Sequence, residues 1–147
     1  MIQVLVLHGP NLNLLGQREP ALYGHATLEE LDARLRTWGV DLGLEVTSKQ
    51  SNHEGQLIDW LHAATREGQA GVVMNPGGLA HTSWALRDAV AGIALPVIEV
   101  HLTNVHAREP GRQQLVTGAA CRGVISGLGA DSYRLGLHAL ATMLPQA

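Results

Sequence analysis

The sequence predicts an α/β protein whose five-stranded parallel sheet is covered by helices on both faces. Short apolar runs alternate along the chain with segments of helical periodicity, and this alternation is typical of parallel sheets. Most connections between these segments are short, as βαβ units require. With 147 residues, 46% of them hydrophobic, the chain can bury about two-thirds of its unfolded surface. We therefore expect one domain over residues 1–147.

The first half of the chain contains three predicted strands and two predicted helices. Strands are predicted over residues 3–8, 45–50 and 71–74, of which the first and third are mostly apolar. Thr27 to Glu30 forms a capping box that starts a helix ending near residue 43. Its apolar stripe contains Leu28, Leu31, Leu35 and Trp38. A second helix is predicted over residues 54–67, from the apolar spacing of Leu57, Ile58 and Leu61.

The second half continues the alternation. A short helix is predicted over 83–91, strands over 95–100 and 123–126, and a last helix over 131–144. This helix is expected to bury Leu135, Leu137, Leu140 and Met143. Five strands in this rhythm predict the flavodoxin-like strand order 2-1-3-4-5.

Composition excludes several functional classes. A net charge of −3 without a basic cluster argues against a nucleic-acid partner. No apolar run approaches the roughly 20 residues that span a bilayer, and the first residues lack the features of a signal peptide. The single cysteine, Cys121, cannot form an intrachain disulfide and suits a reducing compartment, so we expect a cytoplasmic protein. Cys121 itself is expected to be a packing residue.

The only lysine is Lys49, and arginine supplies nine of the ten basic residues. Imine chemistry would have to use Lys49, yet nothing near it in sequence would lower its pKa. Arginine favours fixed recognition of carboxylate or hydroxyl groups. The histidines at 25, 53, 62 and 138 lack metal-ligand spacing and are interpreted as surface or structural residues. We expect neither a metal nor a cofactor.

The connection from Gly9 to Ala26 is much longer than βα connections usually are, so it predicts a lid or a binding loop. It contains Arg18 and Tyr23. A phenol needs on the order of 4 kcal/mol of anion stabilisation to ionise near pH 7. One or two guanidinium groups in a closed site could supply this. Tyr23 as an ordinary surface residue is the alternative.

Two further loops contain glycines at the ends of strands. Residues 75–81 follow the third strand, and their two glycines let a ligand approach the backbone beside Asn75 and His81. Their phosphate-loop match is weak, because the Walker spacing and lysine are missing. Gly127 and Gly129 imitate part of a dinucleotide fingerprint, but Ser132 occupies the third glycine position. We interpret that segment as a turn, and His8 at the end of the first strand as a packing residue.

The fourth strand ends in an acid and a histidine two residues apart, Glu99 and His101. Alternate residues of a strand point to the same side. A carboxylate beside an imidazole orients it and raises its pKa, which suits a proton donor near neutral pH. Ligands of open α/β sheets bind outside the carboxyl ends of the strands, where this pair is expected to lie.

Taken together, residues 9–24, 75–83 and 99–108 resemble type II 3-dehydroquinate dehydratase. The similarity also includes residues 50–55 and 85–89, so it extends over nearly the whole chain. The resemblance implies cofactor-free dehydration of 3-dehydroquinate to 3-dehydroshikimate in the shikimate pathway. It also implies a homododecamer built as four trimers.

The resemblance implies five catalytic residues. Tyr23 would remove a proton from carbon 2 of the substrate, with Arg18 holding it as the phenolate. Asn11 would place a water on the developing enolate oxygen. His101 would protonate the hydroxyl leaving carbon 1, with Glu99 fixing its orientation. Proton abstraction beside a ketone needs such a base, an oxyanion partner and an acid, so residue chemistry and resemblance agree.

Substrate-binding roles are implied for six more residues. Asn75 and the backbone amides of Leu102 and Thr103 would bind the carboxylate. His81 and Arg112 would hold the ring hydroxyls. Asp88 would reach into the site of a neighbouring subunit.

The segment around and after Arg112 departs from the family pattern. Pro110 and Gly111 replace an acidic and an aromatic residue, and residues 115–120 replace a stretch richer in serine and histidine. Arg108 is a plausible supporting partner in the site. Three alternatives stay open: the same reaction in quinate breakdown, a non-catalytic flavodoxin-like binding domain, and a family member that has lost activity.

Overall fold

The computed structural model describes residues 1–17 and 19–145, and of Tyr23 only the backbone. Its five strands are β1 (Ile2–His8), β2 (Leu44–Gln50), β3 (Val72–Asn75), β4 (Val97–His101) and β5 (Gly123–Ser126). All neighbouring strands pair in parallel, in the order β2-β1-β3-β4-β5. The predicted fold class and strand order are confirmed.

Five α-helices connect or follow the strands: α1 (Pro20–Tyr23), α2 (Leu28–Asp41), α3 (Glu54–Arg66), α4 (Trp84–Gly92) and α5 (Asp131–Met143). The hydroxyl of Thr27 accepts a hydrogen bond from the backbone N–H of Glu30 at 3.1 Å, as the capping box predicts. Ser83 caps α4 in the same way through the N–H of Leu86. These caps fix where two of the helices begin.

The strands divide the core into two apolar layers because their side chains alternate between the two faces of the sheet. Val4 and Val6 of β1 point into the layer covered by α2 and α5. Leu5 and Leu7 point into the layer covered by α3 and α4. With helices on both faces, β1 is buried on both sides, which explains its nearly continuous apolar sequence.

Two details of the sequence prediction are wrong. Met143 is 40% exposed and Leu135 is only half-buried, whereas Tyr133 is fully buried on α5. Gly136 also faces the sheet, where a Cβ would lie 3.1 Å from a methyl group of Val100. The prediction is right for Leu137 and Leu140, which are fully buried, so the observed stripe only partly overlaps the predicted one. The long first loop contains the short helix α1.

Within residues 1–17 and 19–145, no helix combines the length and the apolar character that crossing a membrane would require.

Candidate active site

The carboxyl ends of β1, β3 and β4 surround a cleft, at the edge of the sheet where α/β proteins bind ligands. The loops that follow β1, β3 and β4 are called here the first, third and fourth loops. The cleft is lined by Pro10, Asn11 and Leu12 from the first loop, by Asn75, Gly77, Gly78 and His81 from the third, and by His101, Leu102, Thr103, Val105, Arg108 and Arg112 from the fourth. The three loops that the sequence singled out therefore meet in one place.

Two glycines allow the first and third loops to pack against each other. The Gly9 N–H donates to the carbonyl of Asn75 at 2.7 Å, and a Cβ at Gly9 would lie 2.5 Å from the carbonyl oxygen of Pro76. Gly77 has a φ of +61°, and a Cβ there would lie 3.0 Å from the Pro10 carbonyl oxygen. Any side chain at Gly9 would push the loops apart. Glycine is required here because backbone meets backbone.

The predicted pair of Glu99 and His101 forms at the end of β4. Glu99 Oε2 lies 2.9 Å from His101 Nε2, and the Glu99 side chain is completely buried while His101 is 6% exposed. Glu99 lies behind the histidine and does not line the cleft. With Nε2 bonded to the carboxylate, Nδ1 is the ring nitrogen left for a ligand. A carboxylate that fixes an imidazole in this way sets its tautomer and its orientation.

The second histidine of the cleft, His81, lies beside His101. Their ring centroids are 6.3 Å apart, and the ring planes are inclined by 25°. His81 Nδ1 lies 2.9 Å from the backbone carbonyl oxygen of Gln114 and must donate its proton there, because a carbonyl only accepts. The neutral ring then presents Nε2 as an acceptor, which suits a hydroxyl donor from a ligand.

Thr117 is a site residue that sequence reasoning missed. Its hydroxyl donates a short hydrogen bond to Glu99 Oε1, the carboxylate oxygen that does not bind His101. Both side chains are completely buried. The backbone N–H groups of Val116 and Thr117 donate to the Ala80 carbonyl, which ties this segment to the third loop. The unusual 115–120 segment therefore supplies a donor for Glu99. An apolar run without a recognisable motif gave no signal for it.

Two asparagines reach the cleft from different loops. Asn75 is 4% exposed, and its side-chain oxygen accepts a hydrogen bond from the Gly77 N–H at 3.1 Å. Asn11 is exposed and has a left-handed backbone (φ +70°). Its N–H donates to the side chain of Asn52 at 2.9 Å. The loop after β2, which contains Asn52, thus supports the first loop. This contact gives a structural role to the segment 50–55, which also resembles the family.

Arginines supply the positive charge of the cleft. Arg112 bonds Glu109 through its Nε, and Arg108 Nη2 lies 3.9 Å from the same carboxylate oxygen. The hydrogen bond from Arg112, and the charges of Arg112 and Arg108, hold the pKa of the Glu109 carboxyl below its usual range. Glu109 is therefore ionised near neutral pH and links the two guanidinium groups at the cleft.

Among the predicted residues whose side chains the structure describes, Glu99 and Asp88 do not line the cleft. Asp88 is an exposed residue on α4. Arg18 lies outside the described residues, and so does the side chain of Tyr23, whose backbone ends α1. The other predicted residues lie together as expected, with Glu99 directly behind His101.

Cys121 lies near the buried end of the site, with its Sγ 4.0 Å from Glu99 Oε1. Burial, and to a lesser degree the negative charge of Glu99, raise the pKa of its thiol from 9.0 to about 12. The thiol thus stays protonated well above neutral pH and is a poor nucleophile.

We expect native Cys121 to react with iodoacetamide at pH 8 far more slowly than in urea. Mass spectrometry after timed quenching measures the alkylation. Equal rates in the folded and unfolded protein would show that Cys121 is not protected.

The raised pKa of Cys121 also predicts a contribution to the free energy of unfolding that is complete below pH 9.0. This contribution is lost as the pH rises towards about 12, since the thiol of the unfolded chain ionises first.

Among the residues that the structure describes, no group of three or more histidine, cysteine, aspartate or glutamate side chains is arranged to hold a metal ion. Lys49 does not line the cleft; its Nζ lies 3.8 Å from Glu67 Oε2. The turn at Gly127 and Gly129 supports the fourth loop, since their N–H groups donate to the carbonyls of His101 and Leu102.

A parallel α/β sheet with a buried acid–histidine pair opening onto a polar cleft defines a class of protein suited to acid–base chemistry. The family model described as dehydroquinase class II matches residues 2–141. The chain belongs to the class II dehydroquinase family, a family of hydro-lyases, which confirms the resemblance seen in the sequence.

Individual relatives match over nearly their full length. The chain is 57% identical over 141 residues to the 3-dehydroquinate dehydratase of Thermus thermophilus, which covers 96% of this chain and 95% of that protein. It is 55% identical over 141 residues to the enzyme of the same name from Deinococcus radiodurans, covering 96% and 99%. The crystal structure of type II dehydroquinase from Propionibacterium acnes superimposes with a TM-score of 0.93 at 43% identity, covering 97% of each chain.

Proposed function

We propose that this protein dehydrates 3-dehydroquinate to 3-dehydroshikimate, with its own side chains as the only acid–base groups. The observation that carries the proposal is the buried Glu99–His101 pair at the cleft, in a chain 57% identical to a protein named for this reaction. Loss of water from a β-hydroxyketone needs a base for the proton beside the ketone and an acid for the leaving hydroxyl. His101 is suited to the second role.

The reaction begins with removal of a proton from carbon 2 by the Tyr23 phenolate, which Arg18 stabilises. The electron pair of the broken C–H bond moves towards the ketone at carbon 3 and forms an enolate. Asn11 holds the water that donates a hydrogen bond to the enolate oxygen. Its position on the cleft wall, with its backbone fixed by Asn52, supports this role. Such a preformed donor stabilises charge that develops only in the transition state.

The enolate then expels the hydroxyl from carbon 1. The electron pair returns from the enolate oxygen, a double bond forms between carbons 1 and 2, and the C–O bond breaks. His101 donates a proton so that water leaves instead of hydroxide. Glu99 holds the ring in position for this transfer, and Thr117 keeps the carboxylate in place.

The remaining residues of the cleft bind the substrate. Asn75 and the backbone amides of Leu102 and Thr103 bind the carboxylate. His81 accepts a hydrogen bond from a ring hydroxyl through Nε2, in agreement with its bond to the Gln114 carbonyl. Arg112 contacts a second hydroxyl, and Arg108 supports it through Glu109.

Incubation of 3-dehydroquinate with a catalytic amount of protein tests the proposed reaction. We expect proton NMR to show loss of the carbon 2 methylene signals and growth of one vinyl signal. The rate should be unchanged by a chelator. Protein treated with borohydride in the presence of substrate, and then freed of both by gel filtration, should keep full activity towards fresh substrate, because the mechanism uses neither a metal nor an imine. Unchanged substrate would reject the activity, and loss of activity after either treatment would reject the mechanism.

Replacement of Thr117 by valine should lower kcat on the order of tenfold. This change in rate corresponds to a loss of about 1.4 kcal/mol of transition-state stabilisation. Valine has the shape of threonine but removes the hydroxyl donor to Glu99, so the buried carboxylate keeps only His101 and the weakly donating Cys121 thiol. Thr117→Ser keeps the hydroxyl and serves as the matched control. Steady-state kinetics measure kcat for both variants. The same kcat in both would show that the Thr117 hydroxyl does not support His101 through Glu99.

We further propose that the active form is a cytoplasmic homododecamer of four trimers, in which Asp88 completes the site of a neighbouring subunit. Its exposed position on α4, apart from the cleft of its own subunit, supports this role. Dilution that dissociates trimers, followed by light scattering, should lower the specific activity in parallel. Full activity in isolated subunits would contradict the role of Asp88.

The pathway is part of the same proposal. We assign the reaction to aromatic biosynthesis through the shikimate pathway, and the same chemistry also serves quinate breakdown. Growth of a deletion strain with and without aromatic amino acids distinguishes the two. A growth defect seen only with quinate as the carbon source would favour breakdown.

A further inference from the structure

A chain of buried polar groups leads from Asn75 in the cleft to the surface of α2. Tyr133 Oη lies 2.9 Å from His8 Nδ1, and His8 Nε2 lies 2.8 Å from Asp32 Oδ1. At the cleft end, hydrogen bonding from the Asn75 side chain lowers the pKa of the Tyr133 phenol, against the larger effect of burial. His8 and Tyr133 are completely buried, and Asp32 is 23% exposed. His8 and Asn75 end adjacent strands and are register partners.

The direction of each hydrogen bond follows from the two ends of this chain. The carboxylate of Asp32 accepts, so His8 Nε2 donates to it. At the other end the Asn75 oxygen accepts from the Gly77 N–H, so the Asn75 amide nitrogen donates to Tyr133 Oη. The Tyr133 hydroxyl then donates its proton in a hydrogen bond to His8 Nδ1. Burial raises the pKa of Tyr133, with the charge of Asp32 a smaller cause, so the phenol stays a donor.

The side-chain amide of Asn75 is thereby held in one of its two orientations. Its oxygen accepts from the Gly77 N–H at 3.1 Å and its nitrogen donates to Tyr133. A flipped amide would place N–H groups against the Gly77 N–H, and would place its oxygen against a phenol whose proton is already used. The second N–H of Asn75 is then the one available to the cleft.

We infer that Tyr133, His8 and Asp32 are positioning residues, which hold the Asn75 amide so that it offers an N–H donor to an acceptor group of the substrate. The inference rests on the proposed function, in which Asn75 binds the substrate carboxylate. A carboxylate only accepts hydrogen bonds, so a donor orientation of Asn75 favours it, whereas the flipped orientation would repel it. None of the three residues touches the reacting atoms.

Tyr133→Phe is the main test because it removes one hydroxyl and keeps the ring. KM for 3-dehydroquinate should rise on the order of tenfold, with a smaller change in kcat, because the carboxylate contact persists from bound substrate to transition state. Leu137→Met, one turn along the same buried face of α5, is the matched packing control. It should leave KM unchanged even if thermal stability falls.

A double-mutant cycle shows whether Tyr133 acts through Asn75. In an Asn75→Ala background, Tyr133→Phe should cause no further rise in KM. Equal rises in both backgrounds, no rise in the single variant, or the same rise in Leu137→Met would overturn the inference. If Tyr133→Phe does not fold, Asp32→Ala, altered at the partly exposed end, replaces it. Asp32→Asn, which keeps an acceptor for His8, should restore KM.

Side-chain amide NMR gives a second readout that does not depend on turnover. The wild-type protein should show two resolved amide proton signals from Asn75, assigned by their loss in Asn75→Ala. In Tyr133→Phe these signals should move and exchange faster with solvent. If the wild-type protein fails to convert 3-dehydroquinate, the proposed function fails, and unchanged Asn75 signals in Tyr133→Phe would separately overturn the positioning chain.

Discussion

Replacement of His101 by alanine is expected to lower kcat by about 10²- to 10⁴-fold, the range that general acid–base catalysis supplies. His101 is the cleft group that a buried carboxylate orients directly, so its loss leaves the departing hydroxyl without a positioned proton. The fold should persist, because His101 ends β4 at the cleft and Glu99 keeps its bond to Thr117. Steady-state kinetics from pH 5 to 10, with circular dichroism, measures both effects.

His106→Ala is the matched control for this variant. His106 lies in the next turn of the same loop and is exposed. Its backbone N–H, not its ring, donates to Asn104, so its replacement should leave kcat near the wild-type value. An unchanged kcat and an unchanged pH profile in folded His101→Ala protein would remove His101 from the mechanism.

Replacement of Tyr23 by phenylalanine is expected to lower kcat by several orders of magnitude, because the base for carbon 2 would be lost. The chain has only two tyrosines. Tyr133 is completely buried, and burial raises its pKa, so it is unsuited to act as a phenolate. This leaves Tyr23, near Arg18 in sequence, as the candidate phenolic base.

The Tyr23→Phe variant should still bind substrate, since only one hydroxyl is removed. The variant should convert 3-dehydroquinate too slowly to disturb a calorimetric titration. The dissociation constant measured in this way should be close to the wild-type KM. Turnover comparable to the wild type would exclude Tyr23 as the base. Loss of both binding and turnover would instead point to a structural role for the first loop.

The regular elements were largely predictable because their signals are local. Segments of strand length between helical patterns predicted all five strands, and the Thr27 capping box predicted the start of α2. The buried face of α5 was predicted in part: Leu137 and Leu140 are buried as expected, but Leu135 and Met143 were also assumed to face the core. Tyr133 takes that place because His8 and Asn75 satisfy its hydroxyl inside the core. Such pairing depends on contacts 125 residues apart in sequence, which periodicity does not report.

The candidate site was predictable to the same extent. Glu99 and His101 were found from their spacing on one strand, and the loops from glycines at strand ends. Thr117 was missed because its partner, Glu99, is distant in sequence and its own segment has no motif. His8 was interpreted as a packing residue, and it is buried as expected. However, its two ring nitrogens link Tyr133 to Asp32, which only the folded arrangement reveals.

The most direct measurement is an ultraviolet progress curve for purified protein with 3-dehydroquinate, run beside Tyr23→Phe and His101→Ala at equal concentration. The conjugated product absorbs where the substrate does not. We expect absorbance to rise with the wild-type protein and to rise at least about 10²-fold more slowly with both folded variants. No rise with folded wild-type protein would contradict the proposed dehydration and would direct attention to residues 110–120, whereas equal rates in all three proteins would contradict the assigned base and acid.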